Sequence, residues 1–313
     1  MGSNVDLLLE VAHMYYEQDM TQQEIANKIF LSRSKVSRLI KEAKELGLVE
    51  ITIKSPFENH EGLENLFHSR FHLKNILVAN TEGFVGQDAF HAVCKLGAKY
   101  LNDILRNDSI FSISRGKTMS NLLKNLNPMR PLPDMQVVQL AGAFDELYNP
   151  DYDEIELVRQ VSIAYGCGSQ RLILPYFLEN KQVKDVLISQ SSVQKVMEMA
   201  NQVNIFCSGV DTFVFWSDFL SESEQAFLRK ADAVGCIWGH FFDMDGNIID
   251  TPLYDRVVIP PKKVLQNTET RVCVACDRFK AKAILGALRG GLINVLITDS
   301  RVAHKILALD EKG

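Results

Sequence analysis

Apolar residues in the first fifty positions recur every three to four residues, which is the period of an amphipathic helix. Thr21 and Glu24 are spaced as a capping box, in which each residue satisfies a backbone N–H of the other, at the start of a short second helix. Ser32 is a candidate N-cap for a third helix that ends at the candidate C-cap Gly47. The period also predicts a first helix over Asn4–Gln18, with an apolar face formed by Leu7, Leu8, Val11, Ala12 and Tyr15.

Residues 49–53 alternate like a half-buried strand after the third helix, so the segment is predicted to be a winged helix-turn-helix. From Ser32 to Lys44 the third helix carries five positive side chains and one negative side chain. A charged helix is often only a solvated surface, but the order of capping box, turn, basic helix and strand favours DNA binding. Phe30 occupies the turn, where glycine is common, and we expect its ring to pack on the neighbouring helix.

Lysine and arginine on this helix can neutralise DNA phosphates, whereas Ser34, Lys35 and Arg38 are candidates for contacts with base edges. The full set of predicted DNA-binding residues is Thr21, Gln22, Ser32, Arg33, Ser34, Lys35, Ser37, Arg38 and Lys41.

Proline, glycine and charge interrupt the pattern from Lys54 to Gly62, which predicts a DNA-binding domain at residues 1–55 and a second domain at residues 56–313. In the second domain, apolar runs alternate with helical stretches, so we expect an α/β fold with a mostly parallel sheet that is covered on both faces. The predicted strands are Asn75–Ala79, Ser109–Ile113, Gln136–Leu140, Ile173–Leu174, Asn204–Ser208, Arg271–Cys276 and Asn294–Thr298. The predicted helices are Phe90–Leu105, Val183–Ile188, Ser191–Gln202, Lys280–Leu288 and Arg301–Leu309.

Three predicted strands end in residues that suit a ligand, and ligands of such sheets bind beyond the carboxyl ends of the strands. Ser114–Thr118 combines a glycine turn, two cations and a helix start near Met119, which is chemistry for a phosphate. Gln139–Ala143 offers small residues, and Cys276–Lys280 places a lysine near a helix start. Capped helix starts with solvated basic residues are the alternative interpretation.

Composition limits the class of protein. No apolar run approaches the roughly 20 residues of a membrane span, and the N-terminus lacks the pattern of a secretion signal. Six scattered cysteines are typical of a reducing compartment, so we expect a cytoplasmic protein. A net charge of −5 argues against non-specific coating of nucleic acid, but it allows a local basic surface.

Two patterns superficially suggest metal binding. Cys273 and Cys276 lie three apart on a strand, so their thiols point to opposite faces, and no second pair completes four ligands. Asp243 and Asp245 begin like a calcium loop, but Tyr254 stands where the twelfth-position glutamate belongs, and a hairpin turn at residues 245–247 is the better interpretation. We predict no metal and no cofactor.

No nucleophile arrangement accompanies His240 and Asp243, so no catalytic residue is predicted and the chain is expected not to be an enzyme. The aromatic run Phe213–Trp216, with Phe219, is expected to be core or subunit interface.

Three stretches of the chain, in this order and spacing, resemble the SorC family of sugar-responsive transcription regulators, and the resemblance covers nearly the whole chain. Residues 15–40 are similar to the family's DNA-binding segment. Residues 235–247, GCIWGHFFDMDGN, resemble its GD-x-x-G-x-FFD-x-x-G stretch, and residues 280–299 resemble its most recognisable run.

The resemblance implies a C-terminal fold like that of sugar-phosphate isomerases and deaminases, adapted for sensing. It also implies a homo-oligomer, often a tetramer, on a palindromic double-stranded DNA operator. The effector it implies is a phosphorylated sugar or similar metabolite, held by the turn after an early strand, by the FFD stretch and by a late lysine. The predicted effector-binding residues are Ser114, Arg115, Gly116, Lys117, Thr118, Ala141, Gly142, His240, Asp243, Asp277 and Lys280.

The chain departs from the family at several of these positions. Ala141 stands where relatives of the deoxyribose-phosphate type carry a Schiff-base lysine, so that covalent mode is not possible at this position. Cys276-Asp277 replaces a glycine pair, and the early turn is poorer in glycine. We therefore expect a different effector. The alternative function is a sugar-phosphate isomerase or deaminase that carries a DNA-binding segment.

Overall fold

The computed structural model describes residues 2–18, 20–46, 48–49, 61–81, 86–144 and 150–311. The chain divides into two compact units, Met1–Glu58 and Asn59–Gly313. The predicted domain boundary, residues 50–53 of the predicted wing strand and the predicted C-cap Gly47 fall outside the described residues.

The N-terminal unit contains three helices: α1 (Gly2–Tyr16), α2 (Gln22–Lys28) and α3 (Arg33–Glu45). The capping box is present, because Thr21 Oγ1 accepts from the backbone N–H of Glu24 at 3.3 Å and the Glu24 carboxylate accepts from the backbone N–H of Thr21 at 2.8 Å. Ser32 caps α3 by accepting from the backbone N–H of Lys35 at 3.2 Å. The apolar faces meet in a core formed by Leu8, Val11, Ala12, Met14, Ile25, Ala26, Val36, Leu39, Ile40 and Ala43.

The turn between α2 and α3 differs from the expectation in one respect. Phe30 has φ +54°, the left-handed backbone region that explains why glycine is common in such turns. Its side chain is 93% exposed, so the expectation that the ring packs on a neighbouring helix is wrong. The turn is therefore fixed by its backbone, and the ring faces solvent.

The C-terminal unit is built on a seven-stranded sheet, ordered β1-β10-β9-β5-β2-β3-β4, in which all neighbouring strands run parallel. Most of its strands are short apolar runs that are buried on both faces, as a parallel sheet requires, whereas the edge strand Gly168–Gln170 is polar and only half-buried. They are β1 (Asn75–Ala79), β2 (Ile110–Ile113), β3 (Gln136–Val138), β4 (Gly168–Gln170), β5 (Ile205–Ser208), β9 (Thr270–Val274) and β10 (Val295–Asp299).

Helices cover both faces of this sheet, and none of those described is long and apolar enough to cross a membrane. α6 begins two residues before the expected Met119. The helices are α4 (Glu61–Phe71), α5 (Gln87–Ile104), α6 (Lys117–Lys124), α7 (Glu154–Tyr165), α8 (Lys181–Ile188), α9 (Ser191–Ala200), α10 (Phe213–Trp216), α11 (Glu222–Lys230), α12 (Lys262–Asn267), α13 (Ala281–Arg289) and α14 (Ser300–Asp310).

A second, antiparallel sheet of three strands was not expected from the sequence: β6 (Asp211–Thr212), β7 (Gly235–Ile237) and β8 (His240–Phe242). The predicted turn at residues 245–247 follows β8, since Phe242 pairs with Ile248 in an antiparallel bridge. The predicted strand Ile173–Leu174 is wrong, because the chain there forms no strand and the sheet ends on β4 instead.

Two apolar clusters lie on opposite faces of the main sheet. Phe206 and Cys273 belong to one cluster, whereas Phe111 belongs to the other and Cys276 packs against that second one. The two thiols of the Cys-x-x-Cys stretch therefore diverge, as strand geometry predicts.

Candidate nucleic-acid interface and ligand cleft

The exposed face of α3 carries the predicted DNA contacts. Arg33, Ser34, Lys35, Ser37, Arg38 and Lys41 are exposed, while the apolar residues between them are buried. This separation arises because polar and apolar positions follow the helical period on opposite sides. A helix with five exposed cations on one face suits a surface of phosphates.

Thr21 and Ser32 are engaged in capping. The Thr21 hydroxyl donates to the Glu24 carboxylate at 2.8 Å while it accepts from the backbone of the same residue, so both of its roles are used inside the cap. Gln22, at the start of α2, is half-buried. These residues fix the entry of α2 and α3, and α3 supplies the exposed donors.

A cleft of about 1220 Å³ opens at the carboxyl ends of three neighbouring strands, β9, β5 and β2. The turn after β2 contributes Arg115 to Thr118, the turn after β5 contributes Gly209 and Asp211, and the segment after β9 contributes Asp277 and Lys280. These strands are adjacent only in the sheet order, so the fold brings together residues that are distant in sequence.

Two helices begin at this cleft, α6 and α13. Gly116, the N-cap of α6, has φ +126°, a conformation that glycine adopts without strain. The first backbone N–H groups of a helix have no partner inside it and attract anions. Lys117, Lys280 and Lys282 stand at the same cleft, and Asp211 and Asp277 oppose them. The local charge favours an anionic group near the helix starts.

Arg115 lies among aromatic rings at the inner wall of the cleft. Its guanidinium carbon is 3.7 Å from the ring centre of Phe144, 5.1 Å from that of Trp216 and 5.4 Å from that of Phe215. Contacts of this kind hold a cation over the negative faces of the rings. The aromatic run predicted to be core or interface thus also forms a wall of the cleft, with Trp216 buried.

Behind Arg115 lies a small inner cavity of about 40 Å³, space for roughly one water molecule. Ser114, Ala141 and Glu154 line it, and Arg115 lines both this cavity and the cleft. Among the residues described, the indole N–H groups of Trp216 and Trp238, which line the same cavity, have no hydrogen-bond partner. Carboxylates and indole donors together suit a hydroxyl group, which both donates and accepts.

Glu154 is one of two acidic residues that line this inner cavity, with Asp211, and it is only 2% exposed. Its Oε1 accepts from the backbone N–H groups of Leu140 at 2.7 Å and Ala141 at 3.2 Å. Burial raises the pKa of Glu154 to about 8, and the two hydrogen bonds only partly oppose that rise. The carboxyl group is therefore mostly protonated at neutral pH.

Of the predicted effector residues, Ser114 and Ala141 line only the inner cavity, and three others line neither the cleft nor the inner cavity. The backbone of Gly142 packs on that of Pro175, and a Cβ there would come within 2.5 Å of the Pro175 oxygen. Asp243 accepts from the backbone N–H groups of Asp245 and Asn247 at 3.0 and 2.9 Å, so its carboxylate organises the turn. His240 faces a different cavity. The structure therefore places these three residues outside the cleft and its inner cavity.

Asp211 and Glu154 are site residues that the sequence argument missed. Asp211 follows Ser208, the end of a predicted strand, so the rule of strand ends could have found it. Glu154 gave no such signal, because it lies at the start of α7 and only the folding of that helix under β3 places it at the inner cavity.

Residues 55–308 match the family model Sugar-bind, which describes a sugar-binding domain, and residues 9–45 match sigma-70, region 4. The deoxyribonucleoside regulator of Bacillus subtilis (strain 168) is 31% identical over 308 residues, covering 96% of this chain and 97% of that protein. The sorbitol operon regulator of Klebsiella pneumoniae is 24% identical over 311 residues, covering 98% of this chain and 99% of that protein. The crystal structure of the full-length sorbitol operon regulator SorC superposes with a TM-score of 0.85 at 24% identity, covering 97% of this chain and 98% of the other.

Proposed function

Because the chain belongs to the SorC family of sugar-binding transcriptional regulators, we propose that a sugar phosphate in the strand-end cleft controls its binding to a palindromic operator. The active form is a homo-oligomer, a tetramer, in the cytoplasm, and it binds the effector without turning it over. Binding shifts the oligomer between arrangements whose two α3 helices do or do not fit two half-sites. The main support for this proposal is the cleft, because two helices begin there and three lysines line it.

The DNA half of the proposal rests on α3. Its exposed basic side chains can contact phosphates, and Arg38 projects from the middle of the same face. A recognition helix reads bases with side chains near its N-terminal half, so Ser34, Lys35 and Arg38 are the proposed base contacts.

Arg38→Ala is expected to weaken binding to a duplex selected by the wild-type chain by roughly 10- to 100-fold, because a base contact and a charge are lost. Fluorescence anisotropy at fixed salt measures the change. Lys230→Ala, at the exposed end of α11, is the matched control and should leave the affinity within about twofold. If Arg38→Ala binds the duplex with the affinity of wild type, α3 is not the helix that reads the bases.

The effector half rests on the charges of the cleft. Lys117 and Lys280 stand at the starts of α6 and α13, so a phosphate there meets both ammonium groups and backbone N–H donors. The sugar portion can extend toward Arg115 and its aromatic neighbours. The apolar faces of these rings suit the carbon chain of a sugar, and the polar groups of the inner cavity suit its hydroxyl groups.

Lys280→Ala is expected to weaken phosphate-ester binding by roughly 10-fold, because one charged hydrogen-bond donor is removed. A thermal-shift screen of phosphorylated and free sugars and polyols identifies the ligand, since a compound that binds only the folded state raises the midpoint. Lys99→Ala, an exposed lysine near the end of α5 that does not line the cleft, is the control, and DNA affinity without ligand should be nearly unchanged in both variants. If only unphosphorylated compounds shift the midpoint, Arg115, Lys117 and Lys280 do not bind a phosphate, but the proposal that a ligand controls DNA binding stands.

A further inference from the structure

Large apolar side chains stand exposed at the strand-end cleft. Phe279 is 68% exposed and Val214 is 75% exposed, and both line the cleft. Phe279 lies just before α13 and Val214 lies on α10, so the two side chains come from segments that are distant in sequence. Apolar side chains that are exposed together mark a surface that binds a ligand or a partner.

Aromatic rings also stand beside the cations of the cleft. Lys117 Nζ lies 5.5 Å from the ring centre of Phe90, and both residues line the cleft. Phe279 directly precedes Lys280 in the sequence, and both of these residues line it as well. Rings that alternate with cations bind anions that carry a planar aromatic group, because the ring of the ligand stacks while its charge is neutralised.

A simple sugar phosphate leaves this part of the cleft unused. Its phosphate is bound at the two helix starts, and its hydroxyl groups suit the inner cavity beyond Arg115. Such a molecule is polar over most of its surface, so it would leave Phe279 and Val214 in water. The cleft, at about 1220 Å³, is also larger than the roughly 300–1,000 Å³ of ordinary small-molecule sites. A planar apolar group on the sugar would fill the remaining space and remove apolar surface from water.

A second copy of the chain is the other occupant that could cover these side chains. The charge of the cleft favours a small anion instead, because Lys117, Lys280 and Lys282 line it against Asp211 and Asp277. The centres of protein–protein interfaces are poor in lysine and in charged residues generally.

We propose that the effector is a phosphorylated sugar that carries a planar aromatic group on its anomeric carbon. This inference rests on the proposed function and names the ligand class of the same cleft. The phosphate binds Lys117 and Lys280, the sugar points toward Arg115, and the aromatic group lies against Phe279 and Val214. Aryl glycoside phosphates and nucleoside monophosphates share this chemistry.

Two matched pairs of ligands test the aromatic group and distinguish its sources. Phenyl β-glucoside 6-phosphate is compared with methyl β-glucoside 6-phosphate, and adenosine 5′-monophosphate is compared with ribose 5-phosphate. Isothermal titration calorimetry with the full chain measures the four affinities. In at least one pair the aromatic member should bind roughly 10-fold more tightly, because only that member stacks on a ring of the cleft. The pair that shows the difference identifies the source.

Two variants locate the aromatic group. Phe279→Ala should reduce the 10-fold advantage of the aromatic ligand to less than about threefold, and it should fold because the ring is largely exposed. Phe227→Ala is the matched control, because this phenylalanine is also exposed but lies on α11 and does not line the cleft. The control should keep the full advantage.

Equal affinities within both pairs would overturn the inference, whereas binding of the two compounds without a ring would still support the proposed function. The same loss of advantage in Phe227→Ala would also overturn it. No binding of any of the four compounds would overturn it too, and the proposed function would fail only if the screen of phosphorylated sugars also gave no shift. Sedimentation of Phe279→Ala should match that of wild type; a changed oligomeric state would mean that a second copy covers Phe279 and would overturn the inference.

Discussion

Between pH 5 and pH 9, ionisation of Glu154 is expected to lower the free energy of unfolding by roughly 4 kcal/mol, and Glu154→Gln should remove that loss. The pKa of Glu154 is raised to about 8 by burial, against 4.5 for the model carboxyl. The folded chain therefore holds the proton more tightly than the unfolded chain. The resulting stability is complete below pH 4.5 and is lost as the pH rises through 8. Glutamine keeps the shape and an acceptor for the two backbone N–H groups but cannot ionise.

Urea unfolding of wild type and variant at pH 5, 7 and 9 measures this difference. Comparing the two proteins at each pH cancels the titration of other groups, including His240. Glu156→Gln, two residues along the same helix, is the control. The pKa of Glu156 is lowered, chiefly by the hydrogen bond with Arg159, so this group titrates at acid pH. The difference in unfolding free energy between Glu156→Gln and wild type should therefore stay constant between pH 7 and 9. Parallel pH curves for wild type and Glu154→Gln would mean that water reaches the carboxyl group.

Glu154 also connects stability to the ligand site. Its carboxyl group holds the backbone of Leu140 and Ala141, and Ala141 lines the inner cavity with Arg115. A ligand group that enters this cavity meets a mostly neutral acid, which can donate as well as accept. A ligand that carried a positive charge would instead favour ionisation.

The sequence predicts local features of both units well. Helix period, the Thr21–Glu24 spacing and the Ser32 cap are local, so α2 and α3 begin where the sequence predicts. The buried strands also follow from apolar runs, and the rule that ligands meet strand ends places Lys117 and Lys280 at one cleft.

The differences between prediction and structure have a common cause, which is that the local sequence pattern does not show which distant elements meet. His240 lies on a strand near the predicted site, but strand alternation cannot reveal that its ring faces the cavity beside α9. Glu154 is polar and stands at a helix start, which normally indicates exposure, yet β3 and α7 bury it. Strand β4 is a short edge strand without an apolar run, so the apolar pattern predicts a strand at Ile173–Leu174 instead.

The turn after β8 makes a contact that the sequence could not reveal. Gly246 has φ +79°, and a Cβ there would lie 2.3 Å from the Gly286 oxygen and 2.3 Å from the Gly290 Cα. The Asp243 carboxylate holds this turn through Asn247, accepting from its backbone N–H at 2.9 Å and from its side-chain amide at 3.1 Å. The turn therefore rests directly on the backbone of α13, the helix whose start carries Lys280.

Gly246→Ala is expected to destabilise the chain by about 3 kcal/mol or more, because it combines an unfavourable φ with backbone overlap. Two neighbouring glycines separate these causes. Gly291 has φ +61° with nothing within 4 Å of an added Cβ, so Gly291→Ala should cost only about 1 kcal/mol, for the conformation alone. Gly290 has an ordinary φ of −78° but would meet the Gly246 oxygen at 2.4 Å, so Gly290→Ala should cost about 2 kcal/mol for the overlap. Chemical denaturation of the three variants measures each cost. If Gly246→Ala were no worse than Gly291→Ala, the turn would not press on α13, and the start of that helix at the cleft would be positioned by its other contacts.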